Sequence, residues 1–297
     1  MDNRKRWMLI SVFTVSLMMV LGLSLPSEGL AQTKENQALD IAILIDTSGS
    51  TRMPSKVDVN GNGKIGRTRF FYFNWSLAPK ITKDFFTDPG DNILAAEALA
   101  AKRLIARLDS RTTRVAIISF AGDHLPGTGY SGKRTFLANP DTPDATVEQP
   151  LTHDFRMATD ILNKIEERWP DGGTNLAEGI RVATCELRIL LGSVSEPRPD
   201  ARKFILVLTD GVPTFPEGSA SKSDPEDTKL AVSAAELAGY LGITIHMFGL
   251  GQYAMENSET LEQFTNVTGG KFVYVQKPGK IIDVLPAFDI TSPGSQK

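Results

Sequence analysis

The sequence has little cysteine and little histidine. Cys185 is the only cysteine among 297 residues, so no disulfide can form within the chain, and the fold depends on its core. The three histidines, His124, His153 and His246, have neither the spacing of a metal site nor that of a nucleophile and its base. His246 lies inside an apolar run, which indicates a buried structural residue. Zinc chemistry and a catalytic triad are therefore not indicated.

Basic runs and nucleotide motifs are also missing. The formal net charge is -3, and no cluster of Lys or Arg follows the first few residues, which disfavours a nucleic-acid partner. No G-x-x-x-x-G-K-[ST] sequence is present, so a P-loop is excluded. Hydrophobic residues make up 41% of the chain, as in soluble globular proteins, and the length suits one large domain or two small ones.

The N-terminal segment differs from the rest in charge and hydropathy. Basic residues at 4–6 precede an uncharged, mostly apolar run over 7–25, and the small residues Gly29 and Ala31 follow. This order predicts a secretory signal peptide over 1–31. The alternative is an uncleaved N-terminal membrane anchor, because the apolar run is close to the length that spans a bilayer. In either case we expect the remaining chain to be extracytoplasmic: secreted, periplasmic or associated with the cell envelope.

Short apolar runs alternate with helical periodicity over residues 37–290. The runs are continuous and rich in Ile and Val, which is typical of strands buried on both faces of a parallel sheet. Strands are predicted at Leu39–Ile45, Arg114–Phe120, Lys203–Leu208 and Ile243–Leu250, with weaker candidates at Val147–Leu151 and Phe272–Val275. The alternation predicts a doubly wound α/β domain whose mostly parallel central sheet is flanked by helices.

Helices are predicted between these strands. Their ranges are 91–109, 154–169, 176–190 and a helix opening at Asp224–Pro225, with weaker candidates at 257–267 and 279–288. Asp91 is expected to cap the first helix. The helix after Asp224 is expected to face the core with Leu230, Ala234, Leu237 and Leu241.

Three further segments interrupt the alternation. A long insertion over 51–90 directly follows the first strand. The segment 121–146 is rich in Gly, Pro, Thr and Asp, which is typical of a surface loop. A flexible tail is expected over 291–297.

Three oxygen-rich clusters lie where predicted strands end or a predicted helix begins. The first strand leads into 46-DTSGS-50, a later strand ends at 209-TDG-211, and 171-DGGTN-175 precedes a helix. In open α/β sheets, ligands bind beyond the carboxyl ends of the strands, where the strand order reverses. If the strands that end at these clusters are neighbours, all three clusters meet in one crevice.

The side chains in these clusters are hard oxygen donors. They are the carboxylates of Asp46 and Asp210 and the hydroxyls of Ser48, Ser50 and Thr174. Such donors favour Mg²⁺, Ca²⁺ or Mn²⁺ over zinc or copper. Hydroxyl ligands do not neutralise the ion, so we expect the site to accept one more anionic oxygen from outside.

Together, D-T-S-G-S at 46–50, G-G-T-N at 172–175 and T-D-G at 209–211 resemble the metal-ion-dependent adhesion site of von Willebrand factor type A domains. The resemblance implies a Rossmann-like fold. It also implies that the Ser and Thr hydroxyls contact a divalent ion and that the two Asp carboxylates act directly or through water. A carboxylate of a protein partner would fill the last position of the ion.

The resemblance extends over about residues 37–288, but the insertion 51–90 departs from it. Most such domains pass from the first turn to the first helix within a few residues. An insertion at this place can cover the site or shape its specificity.

Within the insertion, 58-DVNGNGKIG-66 matches most of a calcium-binding loop. The expected ligands are the side chains of Asp58, Asn60 and Asn62 and the backbone carbonyl of Lys64. The twelfth position is Arg69 where such loops carry Glu, so Ca²⁺ binding should be weak unless another acid, Asp84 or Asp88, completes the site. The alternative is an Asn-Gly turn without a metal.

The segment 70–86 is unusually aromatic. We expect its rings to pack against the domain, with a contact to a partner or a membrane as the alternative.

These features favour a non-enzymatic, exported protein-binding or adhesion module that binds an acidic residue of a protein partner through a divalent cation. One alternative is a Mg²⁺-dependent phosphoryl-transfer hydrolase, but such an enzyme usually needs a second acid two residues after its Asp nucleophile, where Ser48 stands. Another is an envelope protein in which the metal only stabilises the fold.

Overall fold

The computed structural model describes residues 37–69, 83–122, 143–190, 193–217 and 224–294. The chain divides into two units, Met1–Gln37 and Ala38–Lys297, and the elements given below belong to the second. The predicted signal peptide or anchor, residues 70–82 of the aromatic segment, and His124 lie outside the described residues. In the described part of the chain, no helix is long and apolar enough to cross a membrane.

Six strands form one mixed sheet. They are β1 Leu39–Asp46, β2 Thr113–Phe120, β3 Ala145–Thr152, β4 Arg202–Thr209, β5 Ile243–Leu250 and β6 Phe272–Val275. Their order is β3-β2-β1-β4-β5-β6, and every pair is parallel except β2 with β3. The predicted α/β class and mostly parallel sheet are confirmed, and β1 and β4 are neighbours.

Helices cover both faces of the sheet. They are α1 Ile93–Ile105, α2 Phe155–Glu166, α3 Leu176–Arg188, α4 Pro225–Tyr240, α5 Gly251–Glu256, α6 Ser258–Asn266 and α7 Ile281–Ala287. Buried residues of α1, α2 and α7 pack on one face, and those of α3, α4 and α6 pack on the other. The strands are therefore buried on both sides, as their continuous apolar runs predict.

The central strand β1 shows how the core is divided. Ile41, Ile43 and Ile45 point to the layer of α1, α2 and α7, while Ala42 and Leu44 point to the opposite layer. All five are fully buried. Burial of each Ile or Leu side chain contributes about 2 kcal/mol, so β1 is held firmly from both faces and the residues that follow it have a fixed starting point.

The start of α1 differs from the prediction. Asn92 caps the helix, because its side chain accepts a hydrogen bond from the Ala95 N–H at 2.7 Å. Asp91 instead accepts from the N–H groups of Val59, at 2.7 Å, and Gly66, at 2.8 Å. The predicted cap was wrong because Asp91 is used to anchor the insertion.

The buried face of α4 also differs from the prediction. Leu230 and Leu237, expected in the core, are 43% and 50% exposed, whereas Ala231, Ala235 and Ala238 are buried. Both stripes have helical spacing, so periodicity alone does not choose between them. Asp227 fixes the rotation, because its buried carboxylate accepts the Glu217 N–H at 2.7 Å and must face inward.

Short elements near the C-terminus were also missed. Helix α5 was not predicted, because it has only six residues. The tail expected from Thr291 still bonds to the domain as far as Gly294, whose N–H donates to Gly269 O at 2.9 Å. Lys271 Nζ donates to Ser292 Oγ at 2.7 Å.

Candidate functional site

The three oxygen-rich clusters meet at one edge of the sheet. Asp46 is the last residue of β1, and Asp210 follows the last residue of β4. Because β1 and β4 are parallel neighbours, these two ends lie side by side. The loop at 171–175 joins them, since Gly49 N–H donates to Gly172 O at 2.9 Å. A Cβ on Gly49 would lie 3.2 Å from Gly172 O and 2.5 Å from an Arg52 side-chain nitrogen, so a larger residue would have to displace the Arg52 guanidinium.

Asp46 is fully buried and is held from both sides. Its Oδ1 accepts the Ser48 N–H at 2.8 Å, which closes the turn after β1. Its Oδ2 accepts the Thr209 hydroxyl at 2.6 Å, which ties β1 to the end of β4. The orientation of the carboxylate is therefore set before any ligand arrives.

The two serine hydroxyls connect this turn to Asp210. Ser48 Oγ and Ser50 Oγ are 3.1 Å apart, and Ser50 Oγ donates to Asp210 Oδ1 at 2.6 Å. Thr47 lies between Asp46 and Ser48 in the sequence, but its hydroxyl donates away from the site, to Phe120 O at 3.1 Å. The alternation at 46, 48 and 50 thus brings these three residues to the same edge, whereas Thr47 points to β2.

Thr174 reaches the same edge from the loop before α3. Its N–H donates to Thr214 Oγ1 at 2.9 Å, and its Oγ1 lies 3.8 Å from the Cβ position of Gly211, next to Asp210. Thr174 is buried, and within the described residues its hydroxyl has no hydrogen-bond partner. Ser50, Thr174 and Asp210 line one cavity.

A third carboxyl group, not found by the sequence reasoning, lies at this edge. Glu97 on α1 is fully buried, and its Oε2 accepts the Asp46 N–H at 3.1 Å. Its Oε1 is buried and has no partner in the described part of the chain. The sequence feature that could have revealed Glu97 is its place as the one acid in the apolar run 93–101, on the face that the helix buries.

Burial raises the pKa values of all three acids, and repulsion by neighbouring charges adds to the effect at Asp210 and Glu97. Burial raises the pKa of Asp46. Burial and the charge of Asp46 raise the pKa of Asp210 to about 7. Burial and the charges of Asp46 and Asp210 raise the pKa of Glu97 well above its usual value. The edge therefore stabilises protons or a cation.

The donor set fits a hard divalent ion. Carboxylate and hydroxyl oxygens are ligands that Mg²⁺, Ca²⁺ and Mn²⁺ accept. The buried Oε1 of Glu97, which has no partner in the described residues, is compatible with a cation at this edge, and Thr174 lines the cavity beside it. In the residues that the structure describes, no group of three or more His, Cys, Asp or Glu is arranged to hold a metal by itself, so such a site depends on its hydroxyls.

The loop at 58–66 is a separate cluster. Asp58 accepts the N–H groups of Gly61, at 2.7 Å, and Gly63, at 2.8 Å, which curls the backbone around its carboxylate. The amides of Asn60 and Asn62 both donate to Asp88, the former at 3.0 Å. Of the two acids considered above, it is therefore Asp88 that faces the loop.

His246 and the end of the aromatic segment are part of the packed interior of the domain. His246 is fully buried: its Nε2 lies 2.9 Å from Ile290 O, and its Nδ1 accepts the Lys271 N–H. Phe86, at the end of the aromatic segment, is buried with its ring 5.6 Å from that of Trp169.

Comparison with known proteins places this geometry in context. A family model described as von Willebrand factor type A domain matches residues 91–285. The match begins where the insertion ends, so Asp46 and both serines precede it, whereas Thr174 and Asp210 lie inside it. No curated protein sequence matches the chain at a significant level.

Solved structures share the fold at low sequence identity. The SpRpn10 VWA domain has a TM-score of 0.51 and 12% identity, covering 84% of this chain and 93% of that one. A mutant of the PilB minor pilin from Streptococcus sanguinis has a TM-score of 0.53 and 14% identity, covering 84% and 60%. The pilus adhesin SpaC from Lactobacillus rhamnosus GG has a TM-score of 0.50 and 14% identity, covering 84% and 30%. At these identities the likeness concerns the fold alone.

Proposed function

The chain belongs to the von Willebrand factor type A domain family, and we propose that it is a non-enzymatic protein-binding module that holds a partner through a divalent cation. The cation, Mg²⁺ or else Ca²⁺ or Mn²⁺, would be held by Asp46, Ser48, Ser50, Thr174 and Asp210. An Asp or Glu carboxylate of the partner would complete its coordination.

One observation carries this proposal: the convergence of five oxygen-bearing residues at the edge where β1 and β4 end. These residues and Glu97 include three buried acids with raised pKa values, and among the described residues no basic side chain forms an ion pair or hydrogen bond with them. The nearest basic residue in the turn, Arg52, donates to Asp171 at 3.0 Å and to Gly49 O at 2.7 Å. A divalent cation bound among the acids would offset their repulsion, and because its remaining ligands are hydroxyls, it would leave a coordination position for an incoming carboxylate.

The site lacks the groups of a phosphoryl-transfer enzyme. The position two residues after Asp46 holds Ser48, and of the described histidines, His153 contacts Ser110 O and His246 contacts Ile290 O, both away from the serines. The Ser50 hydroxyl is bonded to Asp210, not to a histidine, and the second acid that phosphoryl transfer usually needs is replaced by Ser48. We therefore favour binding over catalysis.

The partner is expected outside the cytoplasm. The N-terminal segment predicts export, and a membrane contact would involve only that segment if it stays uncleaved. The net charge of -3 gives no surface suited to nucleic acid.

A pull-down from an envelope extract tests the proposal. The purified domain should capture a partner in Mg²⁺, lose it in EDTA and regain it when Mg²⁺ is restored. Asp46→Ala and Thr174→Ala should reduce capture at least tenfold. Thr184→Ala, a buried threonine on α3 that bonds only within its helix, is the matched control. Capture that persists unchanged in EDTA would contradict the proposal.

The same preparation separates recruitment from a purely structural metal. If the ion only stabilises the fold, EDTA lowers the melting temperature but no partner depends on Mg²⁺. Metal-dependent capture by a domain that remains folded in EDTA supports recruitment.

We also propose that the loop 58–66 binds Ca²⁺ weakly, with Asp58, Asn60, Asn62 and the Lys64 carbonyl as ligands and Asp88 as the second acid. The position of Asp88 beside the two asparagines supports it. Weak affinity follows because only two carboxylates are available.

A further inference from the structure

A cavity of about 650 Å³ opens directly over the candidate metal edge. Ser50, Thr174 and Asp210 form part of its floor. This volume is typical of pockets that enclose a ligand, and it is much larger than a single carboxylate needs. A partner bound at the ion therefore has room to place neighbouring groups in the cavity.

One wall of the cavity is built by the insertion. Met53, Lys56, Arg67 and Thr68 line it, and all belong to the segment that departs from the family pattern. The opposite wall comes from the end of β5 and from α5, including Leu250 and Tyr253. The cavity thus depends on a segment that precedes the part of the chain matched by the family model.

The insertion wall is attached to the domain at several points. Ile93 N–H donates to Met53 O at 2.9 Å, and Ser55 N–H donates to Asp91 O at 2.8 Å. Gly66 N–H donates to the buried Asp91 carboxylate at 2.8 Å, and Gly279 N–H donates to Ser55 O at 2.9 Å. These bonds hold the wall in place beside the site, so the cavity is a built feature of the fold.

The wall carries two unpaired positive charges. Lys56 and Arg67 are exposed, and among the described residues neither side chain has an ion-pair or hydrogen-bond partner. Apolar residues, among them Met53, Ile93 and Leu250, lie around the same cavity. On the far rim Glu256 is the acidic member, and it accepts a bond from Gln252 at 2.8 Å.

We propose that this cavity takes a short acidic peptide segment of the partner, in which one carboxylate reaches the ion, an apolar side chain fills the cavity, and a second carboxylate pairs with Lys56 and Arg67. The inference rests on the proposed function, because the first carboxylate needs the ion. It adds that the insertion selects partners with two acidic residues separated by an apolar one. Charge complementarity of this kind sets specificity and on-rate.

Two labelled pentapeptides test the inference. The first places Asp, Leu and Glu between two glycines, and the second replaces Glu by Gln. Fluorescence polarisation in Mg²⁺ should show the first peptide binding about fivefold more tightly, the gain expected from a pair of exposed ionic contacts. The gain should shrink as salt rises, since exposed charges are screened.

Variants then locate the second carboxylate. The double variant Lys56→Gln, Arg67→Gln should remove the difference between the two peptides. Lys164→Gln with Arg107→Gln, exposed basic residues that do not line the cavity, is the matched control and should retain the difference. The Mg²⁺ affinity of each variant is measured separately by calorimetry, so that an effect on the ion is recognised.

The outcomes distinguish the inference from the proposed function. If both peptides bind wild-type protein equally in Mg²⁺ and neither binds in EDTA, the cavity inference is overturned and the proposed function stands. The inference is also overturned if the peptide difference survives in the Lys56 and Arg67 double variant. If neither peptide shows Mg²⁺-dependent binding, the cavity inference is overturned, and the pull-down in Mg²⁺ and EDTA decides the proposed function separately.

Discussion

Glu97 adds a third carboxyl group to an edge where Asp46 and Asp210 already lie. Its Oε2 accepts the Asp46 N–H, and its Oε1 is buried without a partner in the described residues. Burial and the two neighbouring acids raise its pKa well above the usual value, which favours its neutral form when no cation is bound. Glu97 therefore contributes shape and a hydrogen-bond acceptor to the metal-free site.

A pair of substitutions tests this protonation state. Glu97→Gln should change the free energy of unfolding in EDTA by less than about 1 kcal/mol, because an amide resembles a neutral carboxyl group and still accepts from Asp46. Glu97→Ala should cost about 2–4 kcal/mol, because it leaves a cavity and an unpaired N–H. Chemical denaturation measures both, with Glu259→Gln and Glu259→Ala on α6 as controls. Equal losses for Gln and Ala would show that Glu97 is charged.

Asp210 makes cation affinity dependent on pH. Its pKa is raised to about 7 by burial and by Asp46, so at pH 6 a cation must displace a proton from the site. We expect Mg²⁺ affinity to fall about tenfold for each pH unit below 7 if one proton is released, and to level off above 7. Calorimetry in buffers of different ionisation enthalpy counts the protons. Constant affinity from pH 6 to 8 without proton release would contradict this prediction.

Among the elements, the insertion has the clearest organisation of its own. Asp91 holds it by accepting from Val59 and Gly66, and Asp88 accepts from Asn60 and Asn62. The loop is therefore tied to the turn before α1, although these residues are far apart in the sequence. Asp88 is thus close enough to the loop to be tested as the second acid of the proposed Ca²⁺ site.

Substitution of three acids of the insertion tests whether the loop 58–66 binds Ca²⁺. Ca²⁺ should bind with a dissociation constant of about 10⁻⁴–10⁻³ M, as in weak sites of this kind. Asp88→Ala and Asp58→Ala should abolish that binding, whereas Asp84→Ala should not, because no contact between Asp84 and the loop is described. Terbium luminescence with Ca²⁺ competition measures it. If Asp84→Ala abolished Ca²⁺ binding and Asp88→Ala retained it, the choice of Asp88 as the second acid would be wrong.

The sequence predicts elements well where one physical signal dominates. Continuous apolar runs locate β1, β2, β4 and β5, since only strands buried on both faces need them. It fails where two choices satisfy the same rule. On α4, the stripe of Leu230 and the stripe of Ala231 differ by one residue, and the buried Asp227 decides between them through a contact that periodicity does not contain.

The whole molecule brings together residues that no local pattern connects. The strand order places the ends of β1 and β4 side by side, so Asp46 and Asp210, predicted from strand-end clusters, meet. Glu97 and the cavity wall were missed because both depend on how α1 and the insertion approach this edge. The site was thus predictable in its strand-end residues, but not in the groups that surround them.

The most direct test of the central claim is a Mn²⁺ titration followed by electron paramagnetic resonance. It is done in protein carrying Asp88→Ala, so that the loop 58–66 does not contribute. One Mn²⁺ per chain should bind and be displaced by Mg²⁺. Asp46→Ala or Thr174→Ala should weaken that binding at least tenfold, and Thr184→Ala should not. Mn²⁺ binding of unchanged affinity in a double Asp46→Ala, Thr174→Ala variant would contradict the claim that this edge holds the ion.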